Sequence, residues 1–422
     1  MRILCVAAYR SNHADRHLQL LGRAGFDVHL AEVNPPVDTV PPIAGVTHHK
    51  PTEEHYARPR EERPLEPPPR LRDRLFRRAP RRLPPDREAH LLRLGDPAAF
   101  RFHQSRADGA AHWVAGLLDM LRPDVLHSFA LHQASFMTMV ARDRSAVSPV
   151  WIVSNWGCDI HHFGQHPRLR DDYGPAIRWT LAEADGYFAE TRRDDALARR
   201  FGFTGKTLAI APIGGGFDID RYASLRSGEP PSRRRLIMLK GYQGQDSGLM
   251  VGRALTAIEA LAKAAPALGG YELNLYAAPE QRVQDAALAL QAEHGIPLRI
   301  HPHLPYDDLM RLHGQARFSI GNSETDGIAT SAIEAMLMGS VPVQSDTSAL
   351  PEWIEADGAL MVRHDDAESI AEAIRRAATD DAFVDRAARS NDVSLRQRFS
   401  SEAVDHRIVE MYRKAATLRR RR

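Results

Sequence analysis

Short apolar runs alternate along this chain with longer segments in which apolar residues recur at helical spacing. The apolar runs lie at 2–9, 26–33, 123–130, 148–155, 236–239, 271–278, 297–305, 317–324 and 341–346. Some of these runs, such as 2–9 and 236–239, are almost continuously apolar, which indicates strands buried on both faces. Such strands separated by helices predict an α/β protein built on parallel sheets.

The stretch 316–346 shows this alternation most clearly, because a strand, a helix and a second strand follow one another within it. The pattern predicts a helix over 328–338. A right-handed crossover places the loop before this helix at the carboxyl edge of the sheet. The main-chain N–H groups of Gly327, Ile328 and Ala329 would then start the helix and form a pocket for a phosphate or diphosphate.

Two carboxylates flank this predicted pocket, Asp326 in the loop and Glu334 further along the helix. Carboxylates repel phosphates, so we expect both to bind hydroxyl groups on either side of a diphosphate. A nucleoside diphosphate sugar has this arrangement, with the ribose at Glu334 and the sugar at Asp326. The alternative is an ordinary strand–helix–strand unit in which both acids are surface residues.

The same stretch resembles the E-x7-E segment of retaining glycosyltransferases of the two-Rossmann-domain (GT-B) type, family 4. Their pattern is S-x-x-E-G-x-G-x-x-x-x-E-A-x-x-x-G-x-P-V. Its positions here are Ser323, Asp326, Gly327, Glu334, Ala335 and Gly339, followed by Pro342 and Val343 one residue later than the pattern places them. The chain departs from the pattern where Asp326 replaces the first Glu and Ala329 replaces the second Gly. The resemblance implies two doubly wound Rossmann-like domains that face an interdomain cleft.

Cations that neutralise the diphosphate are expected next to this loop. Lys240 ends the predicted strand 236–239 and takes the place of an Arg in the relatives, with Gly241 beside it in the donor site. The relatives have a Lys a few residues later, where this chain has Gln245. Arg253, inside a predicted helix, is the candidate substitute. Gly214 and Gly215 precede an expected linker and permit close backbone approach, either in an interdomain turn or in a phosphate-facing loop.

The first half of the chain opens like a Rossmann domain, but its first turn contains no G-x-G-x-x-G, which disfavours a dinucleotide there. Ser11, His13 and Arg16 fit an S-x-H-x-x-R pattern of the relatives. The resemblance places His13 and Arg16 on the acceptor side of the cleft. The alternative is that they are polar residues on a first helical turn.

A second family-like segment, S-x-W-G-x-D-I, lies at 154–160. Some relatives have a His, linked to the transferred sugar, where this chain has Trp156. Asp159 and His127, the latter at the end of a predicted strand, are therefore the candidates to approach the sugar. His161 is a candidate on the acceptor side. Any single His is more often structural than catalytic.

These segments divide the chain into four predicted parts. They are an acceptor-side domain at 1–222, a linker at 223–234, a donor-binding domain at 235–394, and a final segment at 395–422 whose helix crosses back to the first domain. The segment 51–97 is a separate insertion, with twelve arginines against six acidic residues between Arg58 and Arg93. Its prolines rule out one long helix. It is either a peripheral contact with an anionic membrane, a clamp over an acidic acceptor, or a solvated insertion.

Four further observations limit the class of protein. A net charge of +2 gives no argument for nucleic acid, and the two cysteines form no metal-ligand cluster. No apolar run reaches the ~18 residues of a membrane span, and the N-terminus does not resemble a signal peptide. We therefore expect a cytoplasmic protein, with the insertion as its one route to the inner face of a membrane.

The resulting expectation is a glycosyltransferase that uses a UDP- or GDP-linked sugar and retains the anomeric configuration, with no metal ion and no cofactor. The acceptor is an unknown hydroxyl on a glycan, a lipid-linked molecule or a small molecule. One alternative is a sugar-nucleotide epimerase of the same architecture. The other is a nucleotide-sugar-binding protein without catalytic activity.

Overall fold

The computed structural model describes residues 1–7, 11–33, 42–52, 54–55, 83–95, 104–157, 159–244, 251–301 and 304–418. Most of the 51–97 insertion lies outside these ranges, as do Gln245 and the terminal arginines. The described chain forms two compact units. The first is Met1–Gly215 together with the chain from Asp405 onward, and the second is Gly216–Val404. The sequence-based domain limits stay a prediction.

Within the described part of the first unit, seven parallel strands form a sheet with the order β3-β2-β1-β4-β5-β6-β7. The strands are β1 Arg2–Ala7, β2 Asp27–Glu32, β3 Val46–His49, β4 Val125–Phe129, β5 Val150–Ser154, β6 Gly186–Ala189 and β7 Lys206–Ile210. The helices are α1 Asn12–Arg23, α2 Pro85–Gly95, α3 Gln104–Leu121, α4 Ala134–Arg144, α5 Arg170–Glu183 and α6 Arg192–Arg200, with a π-helical turn at Asp159–Phe163.

The second unit has a six-stranded parallel sheet in its described residues, with the order β10-β9-β8-β11-β12-β13. The strands are β8 Leu236–Lys240, β9 Glu272–Tyr276, β10 Leu298–His301, β11 Ala316–Gly321, β12 Val341–Ser345 and β13 Leu360–Val362. The helices from this unit to the end of the chain are α7 Ile219–Leu225, α8 Ala254–Ala264, α9 Gln281–His294, α10 Tyr306–Gln315, α11 Thr330–Leu337, α12 Ala367–Thr379, α13 Asp381–Arg398 and α14 Ser401–Ala416.

Burial follows the position of each strand in its sheet. Every residue of the central strands β4 and β5 is buried, whereas the edge strand β7 is only partly buried. Central strands of a parallel sheet are covered on both faces, which requires continuous apolar sequence. The predicted α/β fold with two doubly wound halves is confirmed.

The strand order reverses at one point in each sheet, between β1 and β4 and between β8 and β11. β8 and β11 are direct neighbours, with Leu239 paired to Ile320. In doubly wound sheets, ligands bind in the crevice beyond the carboxyl ends of the strands at such a reversal. The loops that follow β8 and β11 are therefore the natural place for a ligand in the second unit.

Among the helices in the described ranges, none is both long enough and apolar enough to cross a membrane.

Candidate active site

Lys240 is the last residue of β8, so its side chain leaves the sheet at the point where the strand order reverses. Its ammonium lies 4.8 Å from the centre of the Tyr242 ring, a cation–π distance. Burial, and after it the charge of Lys240, lower the pKa of His313 to about 3. His313 is therefore neutral at pH 7, and its charge does not compete with that of Lys240.

The loop that follows β11 is fixed by main-chain hydrogen bonds to its neighbours. The N–H of Arg253 donates to the carbonyl of Asn322 (2.9 Å), and the side-chain amide of Asn322 donates back to the carbonyl of Arg253 (3.1 Å). The N–H of Ser323 donates to the hydroxyl of Ser345 (3.2 Å). Strands β8, β11 and β12 thus present their loops as one connected edge.

The helix after this loop begins later than predicted. Ala329 has a left-handed backbone (φ 57°, ψ 71°) and is the N-cap, so α11 starts at Thr330 and not at Ile328. The predicted start was wrong because alanine gives no signal for the left-handed conformation, which ordinarily favours glycine. The N–H groups of Gly327, Ile328 and Ala329 therefore precede the helix.

Asp326 modifies the predicted anion pocket further. Its Oδ1 accepts a hydrogen bond from the N–H of Gly327 (2.8 Å), so that donor already has a partner. No side chain caps the N-terminus of α11. The N–H groups of its first turn, beginning at Thr330, are left to face an anion.

Glu334 lies on the second turn of α11, where its Oε1 accepts a hydrogen bond from the hydroxyl of Tyr306 (2.8 Å). Burial, and after it the charge of Glu334, raise the pKa of Tyr276, whose hydroxyl is hydrogen-bonded to Ser331. Glu334 is thus bordered by two tyrosines from α10 and β9. Sequence reasoning missed both, since nothing in the local pattern around Tyr306 or Tyr276 indicates a contact with Glu334.

Arg253 is not inside a helix, as the sequence suggested, but is the N-cap residue of α8. An isolated bridge pairs Gln243 with Arg253, and this keeps the backbone extended up to the helix start. The guanidinium forms an ion pair with Glu324 of the loop after β11. Arg253 therefore lies at the predicted sheet edge with a carboxylate as its present partner.

Gly241 is required by packing. A Cβ at this position would lie 2.4 Å from the Cβ of Ala278, a distance that side chains do not reach. The turns after β8 and β9 approach each other through this glycine. This close packing explains why the residue is a glycine. A role for Gly241 in donor binding stays a prediction.

In the first unit, the structure brings together four residues singled out in the sequence. The Nη2 of Arg16 lies 3.4 Å from Nδ1 of His13, and a Cβ at Gly214 would lie 2.8 Å from the same Nη2. The ring of Trp156 meets that of His13 edge-on at 6.3 Å. Gly215 has φ +80° and continues this turn. Arg16 and His13 thus form a polar cluster above the carboxyl edge of the first sheet.

Asp159 is almost completely buried, with 1% of its surface exposed. Its Oδ2 accepts hydrogen bonds from the N–H groups of Leu131 (2.7 Å) and Trp156 (2.8 Å). Its Oδ1 lies 2.8 Å from Nδ1 of His132. The carboxylate therefore joins the loops after β4 and β5, which favours a positioning role over direct contact with a sugar. His132 was not singled out in the sequence.

His161 lies in the π-helical turn and is partly exposed. Burial, the charge of Arg193 and the neighbouring His162 lower the pKa of His161 to about 4. The side chain is therefore neutral at pH 7. It can donate or accept a hydrogen bond, but it does not supply a positive charge to an acceptor.

His127 does not end its strand as predicted. β4 continues to Phe129 because Ser128 and Phe129 still pair with the strands on either side. His127 is therefore in the middle of β4 and fully buried, and its Nδ1 lies 2.5 Å from the hydroxyl of Tyr412. This environment favours a structural role for His127, with a pKa far below its usual value because of burial and the nearby His17.

Within the ranges described, no group of three or more His, Cys, Asp or Glu side chains is arranged to hold a metal ion.

A family model described as "Glycosyl transferases group 1" matches residues 246–380. This range contains Arg253, the loop after β11 and all of α11, while Lys240 lies just before it. No curated protein matches the chain.

Solved structures match over nearly the whole chain. Sucrose-phosphate synthase from Thermosynechococcus elongatus is 15% identical, with 98% of this chain and 99% of that chain covered and a TM-score of 0.68. For the α,α-trehalose 6-phosphate synthase of Burkholderia multivorans the identity is 15%, the coverage 98% and 97%, and the TM-score 0.69. A trehalose-6-phosphate protein from E. coli bound with UDP-2-fluoro glucose is 15% identical, with 99% and 100% covered and a TM-score of 0.65.

The fold is the GT-B fold of glycosyltransferases. The GT-B prediction from the sequence is thereby confirmed, whereas membership of family 4 and the E-x7-E motif stay predictions. At 15% identity these matches establish the architecture and not the roles of individual residues.

Proposed function

We propose that the protein is a glycosyltransferase that moves a sugar from a nucleoside diphosphate sugar to an acceptor hydroxyl, with retention of configuration and without a metal ion. One observation carries the proposal. Lys240 ends β8 and the loop before α11 follows β11, and the order of the second sheet reverses between these two strands. A cation and the N-terminus of a helix are thereby supplied to the same crevice.

The reaction needs stabilisation of the leaving group. When the bond between the anomeric carbon and the diphosphate oxygen breaks, negative charge grows on the diphosphate. Lys240 and the first N–H groups of α11 are fixed donors for that charge, and such preorganised donors act on the transition state. The acceptor oxygen bonds to the anomeric carbon, and its proton passes to the leaving diphosphate oxygen. No protein base is required.

The carboxylates of Glu334 and Asp326 would bind the two parts of the donor that flank the diphosphate. Glu334, on the second turn of α11, would accept hydrogen bonds from the ribose, and Asp326, in the loop, from hydroxyls of the transferred sugar. A carboxylate accepts through both oxygens, so each can bind a ligand hydroxyl while keeping its present partner. The E. coli structure with UDP-2-fluoro glucose supports UDP-linked donors as the first to test. GDP-linked donors are the second choice.

We assign the acceptor site to the first unit. His13 and Arg16 lie at the reversal between β1 and β4, where a ligand of that sheet is expected. Arg16 is suited to an acceptor with an acidic group, whereas the neutral His161 is suited to a hydroxyl. Glycan, lipid-linked and small-molecule acceptors all meet these conditions.

The test uses the full-length protein with UDP-glucose and GDP-mannose, a panel of acceptors and excess EDTA. We expect release of one nucleoside diphosphate for each sugar transferred, at a rate that EDTA leaves unchanged, and retained configuration by NMR of the product. Activity that EDTA abolishes and Mg²⁺ or Mn²⁺ restores would remove the metal-free mechanism. A free sugar of altered configuration would identify an epimerase, and nucleotide binding without turnover a non-catalytic protein.

A further inference from the structure

A hydrogen bond of 2.8 Å joins the hydroxyl of Tyr306 to Oε1 of Glu334. Tyr306 is the first residue of α10, and Glu334 lies on the second turn of α11. We propose that Tyr306 is a positioning residue, which holds the carboxylate of Glu334 in the orientation that accepts the ribose hydroxyls of the donor and so sets the preference for ribonucleotides. The proposal rests on the proposed function.

A hydrogen-bond partner that fixes the side chain of Glu334 lowers the entropy cost of ligand binding. This side chain has three rotatable bonds, and binding a ligand through one rotamer costs the entropy of the others. A hydrogen bond to a charged oxygen is stronger than one between neutral groups and selects a single orientation. A carboxylate accepts hydrogen bonds through both of its oxygens, so Glu334 can accept from ligand hydroxyls while it keeps the bond from Tyr306.

Tyr306 is itself held in place. Its ring meets the ring of Tyr222 edge-on at 6.4 Å, with an interplanar angle of 85°. Tyr222 is buried on α7, so this contact comes from another helix of the same unit. The hydroxyl of Tyr306 is thus presented to Glu334 by a ring that is already packed.

The second tyrosine beside Glu334 does not duplicate this role. The hydroxyl of Tyr276 is hydrogen-bonded to Ser331, which lies three residues before Glu334 on the same face of α11. Tyr276 therefore lies next to the carboxylate of Glu334, whereas Tyr306 donates a hydrogen bond to it. Removing the hydroxyl of Tyr306 therefore tests its hydrogen bond to Glu334.

The experiment measures binding of UDP and 2′-deoxy-UDP to the full-length protein by calorimetry, with GDP and 2′-deoxy-GDP as a second pair. The variants are Tyr306→Phe, Glu334→Gln, the two combined, and Tyr222→Phe as the matched control. We expect Tyr306→Phe to weaken UDP binding about three- to tenfold and 2′-deoxy-UDP binding about twofold or less. Tyr222→Phe should leave both unchanged, and the double variant should bind like Glu334→Gln alone.

Other results overturn the inference in distinguishable ways. If Glu334→Gln removes the preference for ribonucleotides while Tyr306→Phe behaves like Tyr222→Phe, the positioning role is wrong and the proposed function stands. Equal losses for UDP and 2′-deoxy-UDP in Tyr306→Phe would show a general structural role. If Glu334→Gln changes neither ligand, the ribose assignment fails, and the inference with it. Should Tyr306→Phe not fold, Tyr306→Leu keeps an apolar side chain beside Tyr222, removes the hydroxyl and tests the same contact, with the same loss of preference expected.

Discussion

The hydroxyl of Tyr412 and Nδ1 of His127 are 2.5 Å apart, although 285 residues separate them in the chain. The same hydroxyl lies 2.7 Å from Nε2 of His17, whose Nδ1 is 2.6 Å from the carbonyl oxygen of Ile213. A carbonyl oxygen only accepts, so Nδ1 of His17 carries its proton and Nε2 accepts from Tyr412. Nδ1 of His127 must then donate to Tyr412. All three side chains are buried.

The first prediction is that Tyr412→Phe destabilises the first unit by about 2–5 kcal/mol, because it leaves Nε2 of His17 and the N–H of His127 buried without partners. Denaturant unfolding measures the loss. Tyr271→Phe is the control, since the hydroxyl of Tyr271 donates to the main-chain carbonyl of Ala378 (2.7 Å). Equal losses in the two variants would contradict the network.

The second prediction is that stability falls in acid. Burial lowers the pKa of His17 to about 4 in the folded chain, against about 6.5 when unfolded. Between these values the unfolded chain binds the extra proton, so the free energy of unfolding decreases as pH falls from about 6.5 to about 4, by about 3 kcal/mol for His17. Urea unfolding across that range measures the slope, which should be smaller in His17→Gln. A flat profile would show that His17 titrates normally.

The third prediction concerns the backbone of Ala329. The left-handed conformation strains any residue with a Cβ, so Ala329→Gly should stabilise the second unit by about 0.5–1 kcal/mol. Ala332→Gly, within α11, is the control and should destabilise by about 1 kcal/mol. A shift of the melting temperature in the same direction for both variants would be inconsistent with strain at Ala329.

The fourth prediction is that Lys240→Ala lowers kcat about 10²–10³-fold, since one well-aimed donor to a developing charge has an effect of that order. The protein should fold normally, because Lys240 is only partly buried at the carboxyl end of β8. Lys263→Ala is the control, as Lys263 lies in the last turn of α8, paired at 3.8 Å with Glu259. A kcat close to that of the parent would assign the charge stabilisation to Arg253 or to the N-terminus of α11.

The fifth prediction is that Glu324 competes with the diphosphate for Arg253. Their ion pair is largely shielded, with 21% and 24% of the side chains exposed. Glu324→Gln should release Arg253 and tighten UDP binding about three- to tenfold, whereas Arg253→Gln should weaken it. Calorimetry distinguishes the alternatives, because weaker UDP binding in Glu324→Gln would make Glu324 a support for Arg253 and not a competitor.

The fold could be read from the sequence because parallel central strands require continuous apolar runs, and those runs are visible at β1, β8 and β11. The position of Lys240 followed from the same pattern, since it is the first polar residue after the run 236–239. The residues Ser128 and Phe129, by contrast, could belong to a strand or to the loop after it. In the structure these residues pair with β1 and β5, so β4 continues through them. His127 therefore lies buried in the middle of the strand.

The remaining errors have a common cause. Ala329 is a good helix former, so local propensity extended α11 by two residues that a left-handed backbone excludes. Arg253 lies in an apparently helical segment whose start is set by a bridge to Gln243. Tyr306 and Tyr412 act through partners that are distant in sequence. Contacts of this kind depend on how helices pack, which one sequence does not reveal.

The assignment of the chain from Asp405 onward to the first unit has a consequence for synthesis. Ile408, Met411, Tyr412 and Ala415 are all buried on α14, so this helix completes the core of a unit whose other residues end at Gly215. At about 5–20 residues per second, the ribosome needs roughly 10–40 s to translate residues 216–404. Throughout that interval the nascent first unit lacks the apolar residues of α14, and His17 and His127 lack the hydroxyl that joins them. We expect the exposure of its apolar surface to end only when the last helix emerges.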